Sequence, residues 1–242
     1  MGKGTGLELE RPVPDLALPI PVLETERLRM RSLRTSDVDD YAALYADREV
    51  LRYLRGGPEP WDRGRSWRHM AFLMGHWQLG GVGMWAVEHR ESGAFVGMIG
   101  FAEPDGWPGF ELAWTLARRW WGHGLATEGA SAALAYAFTA LQKDRIISLI
   151  HPENRASIRV AERIGESLQD RIDHLGREML CYELDWETYL AGLAGGGPIR
   201  PCHLAEEIRY KAGMELEIRF QVLAGEKPPV SLALGGTKYT KP

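Results

Sequence analysis

Between residues 22 and 190, strand patterns and helix patterns follow one another in an order that restricts the fold. A run of strand patterns comes first, and a strand–helix–strand–helix series follows it. Apolar and alternating segments predict strands at residues 25–33, 83–89, 94–101, 109–116, 145–150 and 177–186. Helical spacing predicts helices that begin near Thr35 or Ser36, at residues 63–79, at residues 124–141 and at residues 155–164. This order predicts an α+β fold built on a mixed sheet.

Three segments give these predictions their strongest support. The run RIISLI at residues 145–150 is almost entirely apolar, which is typical of a strand covered on both faces. The turn Glu91-Ser92-Gly93 separates two strand patterns and favours a hairpin. The helix at 124–141 carries a continuous apolar face, which we expect to be buried through Ala126, Ala130, Ala133, Leu134, Ala137, Phe138 and Leu141.

The two ends of the chain differ from this central segment. Residues 1–21 carry four prolines, which remove amide donors and favour extended backbone, so an irregular leader is predicted. The sequence Gly195-Gly196-Gly197-Pro198 resembles a linker. Residues 191–242 then form an extension with one strand pattern at 214–223, too short to bury a core alone. The extension packs on the domain at 22–190, pairs with a second copy in a homodimer, or stays loose.

Composition excludes several classes of protein. The 29 basic and 33 acidic side chains of this 242-residue chain give a net charge of −4, with no basic excess that would indicate a nucleic-acid partner. Two cysteines are too few for a disulfide scaffold or a cysteine-built zinc site. No run of 18 apolar residues predicts a membrane helix, and the N-terminus lacks an apolar signal core, so a cytoplasmic protein is expected. No metal is expected either, because His69, His76, His123 and His151 have no pair at the i, i+4 spacing of a helical zinc site.

A glycine-rich turn precedes the long helix, in the segment ELAWTLARRWWGHGLATEG at 111–129. Gly122 and Gly124 let backbone approach a ligand, and a helix start offers free N–H groups and the positive end of its dipole. The turn therefore suits a pyrophosphate, although two glycines that merely shape a turn would look the same. It is not a P-loop, because Leu125-Ala126 follows the second glycine, and Thr127 stands where a dinucleotide fingerprint needs its third glycine.

A second informative segment, HPENRASIRVAERIG at 151–165, follows the buried strand directly. Asn154 and Ser157 stand three residues apart at the helix start, so their side chains point the same way. They contact a ligand together, or Asn154 simply caps the helix.

Together the two segments resemble a known family. Arg119-x-x-Gly122-x-Gly124 is similar to the Arg/Gln-x-x-Gly-x-Gly/Ala signature of the GNAT superfamily of N-acetyltransferases. WWGHGLATEG, followed by HPENRASIRVAERIG, resembles the Rim-type branch, the ribosomal-protein N-terminal acetyltransferases. The opening LETERLRMRSLRTSDVDDYAALYAD is also similar to that branch, and the resemblance spans about residues 22–188.

The resemblance implies a mixed, mostly antiparallel sheet with helices on both faces and one parallel strand pair, 109–116 and 145–150, that splays apart. Acetyl-CoA would lie in that wedge as co-substrate, and an amine, on a peptide N-terminus or a small molecule, would be the acceptor. No metal would take part. The residues that match the family's cofactor contacts are Trp114, Leu116, Arg119, Gly122, His123, Gly124, Leu125, Ala126, Thr127, Asn154 and Ser157.

The chemistry needs a base for the amine and a proton for the leaving thiolate. Glu111, on the first splayed strand, is the candidate base, unless it is only a solvated strand carboxylate. Many family members carry, where this chain has Ala161, a tyrosine that acts as the general acid for the thiolate. Ser157 is the candidate to replace it in that role. A serine is a poor acid, so it would orient a water or bond to the sulfur, or the thiol would leave unassisted.

Two other functions remain open at this point. Ala161 favours a non-catalytic acyl-CoA-binding regulatory module, and the glycine turn alone would also suit a mononucleotide-binding protein. Trp61, Trp67 and Trp77 line an acceptor pocket or belong to the core. Residues 48–79 carry more arginine than acidic side chains, which argues against polyamine and aminoglycoside acceptors.

Overall fold

The computed structural model describes residues 20–54, 57–194, 209–211 and 215–217. The strands are β1 Leu23–Glu24, β2 Leu28–Arg31, β3 Met84–His89, β4 Phe95–Ala102, β5 Glu111–Leu116, β6 Arg145–Ile150, β7 Ser167–Asp173, β8 Glu178–Asp185, β9 Arg209–Lys211 and β10 Glu215–Glu217. The helices are α1 Val38–Ala46, α2 Arg48–Leu51, α3 Arg63–Gly80, α4 Leu125–Thr139, α5 Arg155–Arg163 and α6 Trp186–Ala194, with 3-10 turns at Thr35–Asp37 and Arg118–Trp120.

Eight strands form one sheet in the order β1-β2-β3-β4-β5-β6-β8-β7. Every neighbouring pair is antiparallel except β5 and β6, which are parallel. This confirms the predicted mixed, mostly antiparallel sheet. Strands β9 and β10 pair separately as a short antiparallel ribbon.

The sheet separates two apolar cores because successive strand side chains point to opposite faces. In β3, Trp85 packs in the core beneath α4, whereas its neighbours Met84 and Ala86 pack with α1. Helices therefore cover both faces, as expected. The β3–β4 hairpin turns through Gly93 in the left-handed region, at φ 67°.

Most predicted elements are confirmed within one to three residues at each end. Strand β7 was missed, because nearly all its residues are exposed and an outer strand of this kind shows no apolar alternation. Helix α6 was also missed, and it runs across the predicted domain boundary at residue 190. The strand predicted at 214–223 overlaps β10, and its remaining residues lie outside the described ones, as does nearly all of the leader at 1–21.

Helix α4 approaches the sheet closely because its contact residues are small. A Cβ atom on Gly129 would lie 2.4 Å from Cδ1 of Ile99 in β4, so a larger side chain would force either Ile99 or the helix to shift. Ala130, Ala133 and Ala137 are fully buried beside it, whereas Ala126 and Leu141, predicted as buried, are only partly so. This close packing fixes where the first turn of α4 lies relative to β5.

The parallel strands β5 and β6 separate almost at once. They pair only at Glu111 and Ile147, and beyond that point the hydroxyl of Ser148 lies 2.8 Å from the carbonyl oxygen of Leu112. A side chain thus takes the place of the next ladder hydrogen bond.

Glu166 completes this side-chain bridge from the end of α5. Its Oε1 lies 2.9 Å from the Ser148 hydroxyl oxygen. Burial and, to a smaller extent, the nearby Glu111 carboxylate raise the pKa of Glu166, which is about 8 in the folded protein. The neutral carboxyl group of Glu166 therefore donates its proton to the Ser148 hydroxyl oxygen, and the Ser148 hydroxyl donates in turn to the Leu112 carbonyl oxygen. Both hydroxyl protons of this bridge thus have an acceptor.

We predict that Glu166→Gln reduces the loss of folding stability that accompanies a rise in pH from 4.5 to about 8. Because the folded protein holds this proton more tightly than the unfolded chain, the contribution of Glu166 is full below pH 4.5 and is lost as pH rises to about 8. Glutamine keeps a donor for Ser148 but cannot ionise. Relative to the parent, the variant should therefore gain roughly 4 kcal/mol in the free energy of unfolding as pH rises from 4.5 to 8.5, measured by urea unfolding at each pH.

Glu178→Gln, which removes an exposed carboxylate paired with Arg171, is the matched control and should keep the parent's pH dependence. The same pH dependence in Glu166→Gln and in the parent would contradict a buried neutral carboxyl at this position.

Candidate functional site

Two cavities meet where β5 and β6 separate. The first, of about 290 Å³, is lined from α1, α3, β5, β6 and β8, and we call it the aromatic cavity. The second, of about 500 Å³, is lined from α2, the end of β5, the start of α4 and α5, and we call it the glycine-loop cleft. The residues that line both are Tyr53, Leu54, Trp114, Thr115, Asn154 and Ser157. A ligand in one cavity can therefore touch a ligand in the other.

The glycine turn forms one wall of the cleft. Gly122 and Gly124 both take left-handed backbone angles, at φ 79° and 77°, which glycine adopts without strain. Helix α4 begins directly afterwards with no side chain capping it. Helix geometry leaves the first amides, Leu125 to Thr127, without intrahelical acceptors, at the positive end of the dipole. These donors fit a phosphate or pyrophosphate group.

An ion pair braces this turn from the edge of the sheet. Arg27 binds Glu128 at 2.6 Å, in the first turn of α4, and its Nη1 donates to the carbonyl oxygen of His123 at 2.9 Å. Thr25 also donates its hydroxyl to the Glu128 carboxylate. A carboxylate so close to a phosphate site would repel the phosphate, and pairing with Arg27 neutralises it.

Three arginines of α5 add positive charge to the cleft. Arg155, Arg159 and Arg163 recur every four residues, line the cleft and are exposed. Within the described part of the chain, no ion pair joins any of them to a carboxylate. The cleft therefore combines a helix start, which offers N–H donors, with free cationic side chains, and it fits an anion carrying several phosphates.

The start of α5 reaches the junction of the two cavities. The Asn154 side chain accepts a hydrogen bond from the amide of Ser157 at 3.2 Å, which confirms Asn154 as the helix cap. The indole of Trp114 donates to Ser157 Oγ at 3.2 Å, joining β5 to α5 across the wedge. Because Ser157 accepts from Trp114, its own proton is available to another partner. Ala161, one turn further along, is fully buried among Ile150, Ile158, Leu180 and Tyr182.

Glu111 lies at the other side of the junction and faces the aromatic cavity. It is only 5% exposed, so it is not a solvated strand carboxylate. The indole of Trp107 donates to Glu111 Oε2 at 2.6 Å and stands edge-on to His174, with ring centroids 4.7 Å apart. This contact fixes the direction of the carboxylate.

Aromatic rings from α1 and α3 form the outer wall of the same cavity. Trp61 stacks on Tyr45 with centroids 4.5 Å apart and meets the edge of His69 at 5.0 Å. The Tyr41 hydroxyl lies 2.5 Å from His69 Nδ1. Burial and, to a smaller extent, the charge of Arg65 lower the pKa of His69 to about 4, so the imidazole is neutral at pH 7. Of the three tryptophans singled out above, Trp61 lines the cavity, Trp77 is core and Trp67 is 51% exposed.

Nearly all the site residues expected from sequence line one cavity or both. Glu111 lines the aromatic cavity, and Leu116, Gly122, Gly124, Leu125, Ala126 and Thr127 line the cleft. Arg119 and His123 do not line either cavity. The Arg119 guanidinium donates to the Phe95 carbonyl at 2.9 Å, and His123 contributes its carbonyl to the Arg27 brace.

Sequence reasoning missed Arg27, Glu128 and the arginines of α5. The four-residue recurrence of arginine in RASIRVAER could have revealed the last group. Nothing local could have paired Arg27 with Glu128, which lie 101 residues apart. Across the described ranges, no cluster of three or more His, Cys, Asp or Glu could hold a metal ion, and no helix is long and apolar enough to cross a membrane.

Comparison with known proteins agrees with this geometry. The family model described as "Acetyltransferase (GNAT) domain" matches residues 27–166. The Bacillus subtilis (strain 168) protein YkkB is 32% identical over 164 residues, which cover 66% of this chain and 94% of YkkB.

Solved structures show the same fold. An acetyltransferase from Agrobacterium tumefaciens str. C58 is 32% identical with a TM-score of 0.59, covering 70% of this chain and 97% of its own. Mycobacterium smegmatis RimJ in complex with CoA-disulfide has a TM-score of 0.59 at 20% identity, covering 74% of this chain and 95% of RimJ.

We predict that Arg27→Ala weakens CoA binding about tenfold. The substitution frees the Glu128 carboxylate beside the amides of α4 and releases the His123 carbonyl. The double variant Arg27→Ala/Glu128→Gln removes the repulsion and should recover part of the affinity in isothermal titration with CoA. Equal affinities in the parent and the Arg27→Ala protein would contradict a role for this brace.

Proposed function

The chain belongs to the GNAT acetyltransferase family and is therefore an acetyl-CoA-dependent acetyltransferase, and we propose that a primary amine is its acceptor and attacks the thioester directly. The observation that carries this proposal is the junction of the two cavities. The cleft suits a phosphate-rich ligand, the aromatic cavity holds one buried carboxylate, and both open onto Trp114, Thr115 and Ser157. An acetyl group delivered from the cleft would meet an acceptor in the aromatic cavity.

In this proposal the glycine turn holds the pyrophosphate of acetyl-CoA. Amides from Gly122 to Thr127 donate to it, and Arg119 and His123 contribute through backbone alone, since the Arg119 side chain is turned to β4. The pantetheine arm lies in the wedge beside Trp114 and Leu116, opposite Asn154 and Ser157. The arginines of α5 supply the remaining phosphates with positive charge.

Glu111 is the proposed base. An alkyl amine is mostly protonated at neutral pH and must lose a proton before it can attack, and a positioned carboxylate contributes about 10²- to 10⁴-fold. Burial and the Trp107 hydrogen bond hold Glu111 towards the cavity, where it would receive that proton directly or through one water.

Ser157 is the proposed partner of the leaving sulfur. Ala161 leaves no tyrosine at the family's usual position, and the Ser157 hydroxyl accepts from Trp114, which leaves its proton free to bond to the thiolate. A coenzyme thiol needs only modest help, because thiol pKa values of about 8.5 are close to neutral pH.

The acceptor is a protein N-terminus or a small-molecule amine. The resemblance of WWGHGLATEG and HPENRASIRVAERIG to the Rim-type branch supports the N-terminus. We further propose that residues 22–190 form the N-acetyltransferase domain between a leader at 1–21 and an extension at 191–242, through which the chain would form a homodimer.

The first test is transfer of isotope from labelled acetyl-CoA to a pool of free-N-terminus peptides and small amines, read by mass spectrometry. Glu111→Gln should lower kcat about 10²- to 10⁴-fold and leave the affinity for CoA unchanged, because only proton removal is affected. Glu178→Gln, at the exposed first residue of β8, is the matched control. CoA binding without transfer to any amine would reject the enzyme proposed here and support the non-catalytic acyl-CoA-binding regulatory module that Ala161 favours.

A second test addresses the sulfur. Ser157→Ala should lower kcat about tenfold, because the leaving thiolate loses its hydrogen-bond donor. Trp114→Phe keeps an aromatic ring at this position but removes the indole N–H group that orients Ser157, so a smaller loss of kcat is expected. An unchanged kcat in Ser157→Ala, measured at saturating acetyl-CoA, would exclude Ser157 from the reaction.

A further inference from the structure

The aromatic cavity has a composition that restricts which amines it can hold. Aromatic rings line it, among them Trp107, which is hydrogen-bonded to Glu111. Aliphatic and thioether side chains make up much of the remaining lining. The lining residues of this apolar type are Leu54, Leu73, Met84, Leu112, Leu149, Ile150 and Met179.

Trp61 and Phe72 have different positions in this wall. The ring of Trp61 stacks on Tyr45, and the Arg65 guanidinium lies over it, 4.3 Å from the ring centroid. These two contacts hold Trp61 in place in the wall. Phe72 lies further out on α3, with its ring centroid 6.1 Å from that of His69, and is 55% exposed, so it forms the mouth.

The charges of the lining are equally selective. Among the described lining residues, Glu111 is the one carboxylate, and no lysine or arginine is present. His69 is neutral at pH 7. His76 is held by two contacts, 2.7 Å from Nδ1 to the Val82 carbonyl and 3.3 Å from Nε2 to the Glu103 amide. A single ammonium group therefore finds one counter-charge, and a second would find none.

Desolvation turns this composition into specificity. Moving an unpaired charge from water into an apolar site is costly, so a polyamine or an acceptor with a free carboxylate would lose affinity. An aromatic or branched apolar body gains from burial and from ring contacts at centroid distances of about 4.5–7 Å. The volume of about 290 Å³ is enough for one such body.

We propose that the aromatic cavity selects a primary amine that is carried on one aromatic or branched apolar body and has no second charged group near that amine. The proposal rests on the acetyltransferase function given above and names its acceptor class. Two sources share this chemistry, a free arylalkylamine and a peptide whose first residue is aromatic. A peptide would leave the cavity past Phe72, with its first side chain in contact with that ring and its later residues outside.

Acetyl transfer to a panel of acceptors tests the selection with the full chain. Phenethylamine, or a peptide that begins with phenylalanine, should show a kcat/KM at least tenfold above those of spermidine, free phenylalanine and a peptide that begins with serine. A higher value for phenethylamine assigns the free amine as the source, and a higher value for the peptide assigns the N-terminus. Spermidine or the serine peptide as the best acceptor would overturn the proposal.

A binding measurement separates this inference from the enzymatic one. Isothermal titration of phenethylamine into CoA-saturated protein needs no turnover, and Phe72→Ala should raise its Kd about fivefold. Met74→Ala is the matched control, since Met74 is exposed on the same helix and does not line the cavity, and its Kd should be unchanged.

The outcomes of the two measurements are distinct. Phenethylamine that binds in a Phe72-dependent way, with no acetylation of any amine or peptide in the panel, would overturn the proposed function and leave the selection intact. No binding of phenethylamine, or equal Kd values for Phe72→Ala and Met74→Ala, would overturn the selection even if other amines are acetylated.

Discussion

The arrangement of this protein depends on the early separation of two parallel strands. β5 and β6 pair at one position, and side chains rather than the backbone continue the bridge through Ser148 and Glu166. An ordinary ladder at this point would close the sheet and leave no passage between the cavities. Because the strands part, the glycine turn at the end of β5 and the start of α5 lie on either side of an opening. Glu111, Trp114, the first turn of α4 and Ser157 all belong to elements that end or begin at that opening.

The two cavities divide the electrostatics of the site between them. The cleft collects donors and positive charge from the start of α4 and from α5, whereas the aromatic cavity offers one carboxylate among rings. Neighbouring groups remove charges of the wrong sign. Arg27 neutralises Glu128 beside the phosphate site, and burial keeps His69 uncharged beside the acceptor. An anionic donor and a cationic acceptor are thus directed to different places, and they meet at the residues that line both cavities, among them Trp114, Thr115 and Ser157.

The sequence was informative wherever the signal was local. The glycine turn, the cap at Asn154 and the strand RIISLI each depend on a few adjacent residues, and the structure has all three. Strand β7 was not predictable, because its exposed residues obey no apolar period. The aromatic cavity could not be predicted from the sequence for another reason, because Tyr45, His69 and Glu111 are distant in the sequence and only packing brings them together. Burial also decides what a carboxyl does, and no pattern distinguishes the neutral Glu166 from the many exposed glutamates.

The arginines of α5 have a consequence for the helix that carries them. Like charges four residues apart destabilise a helix by about 0.2–0.5 kcal/mol per pair, and this helix of nine residues has two such pairs. Arg155 also stands in the first turn, where the helix dipole disfavours a cation. A polyphosphate ligand in the cleft would cancel both penalties and so strengthen α5 as a helix. The same helix begins with Asn154 and Ser157, so the ligand that fills the cleft would itself make the far wall of the junction more rigid.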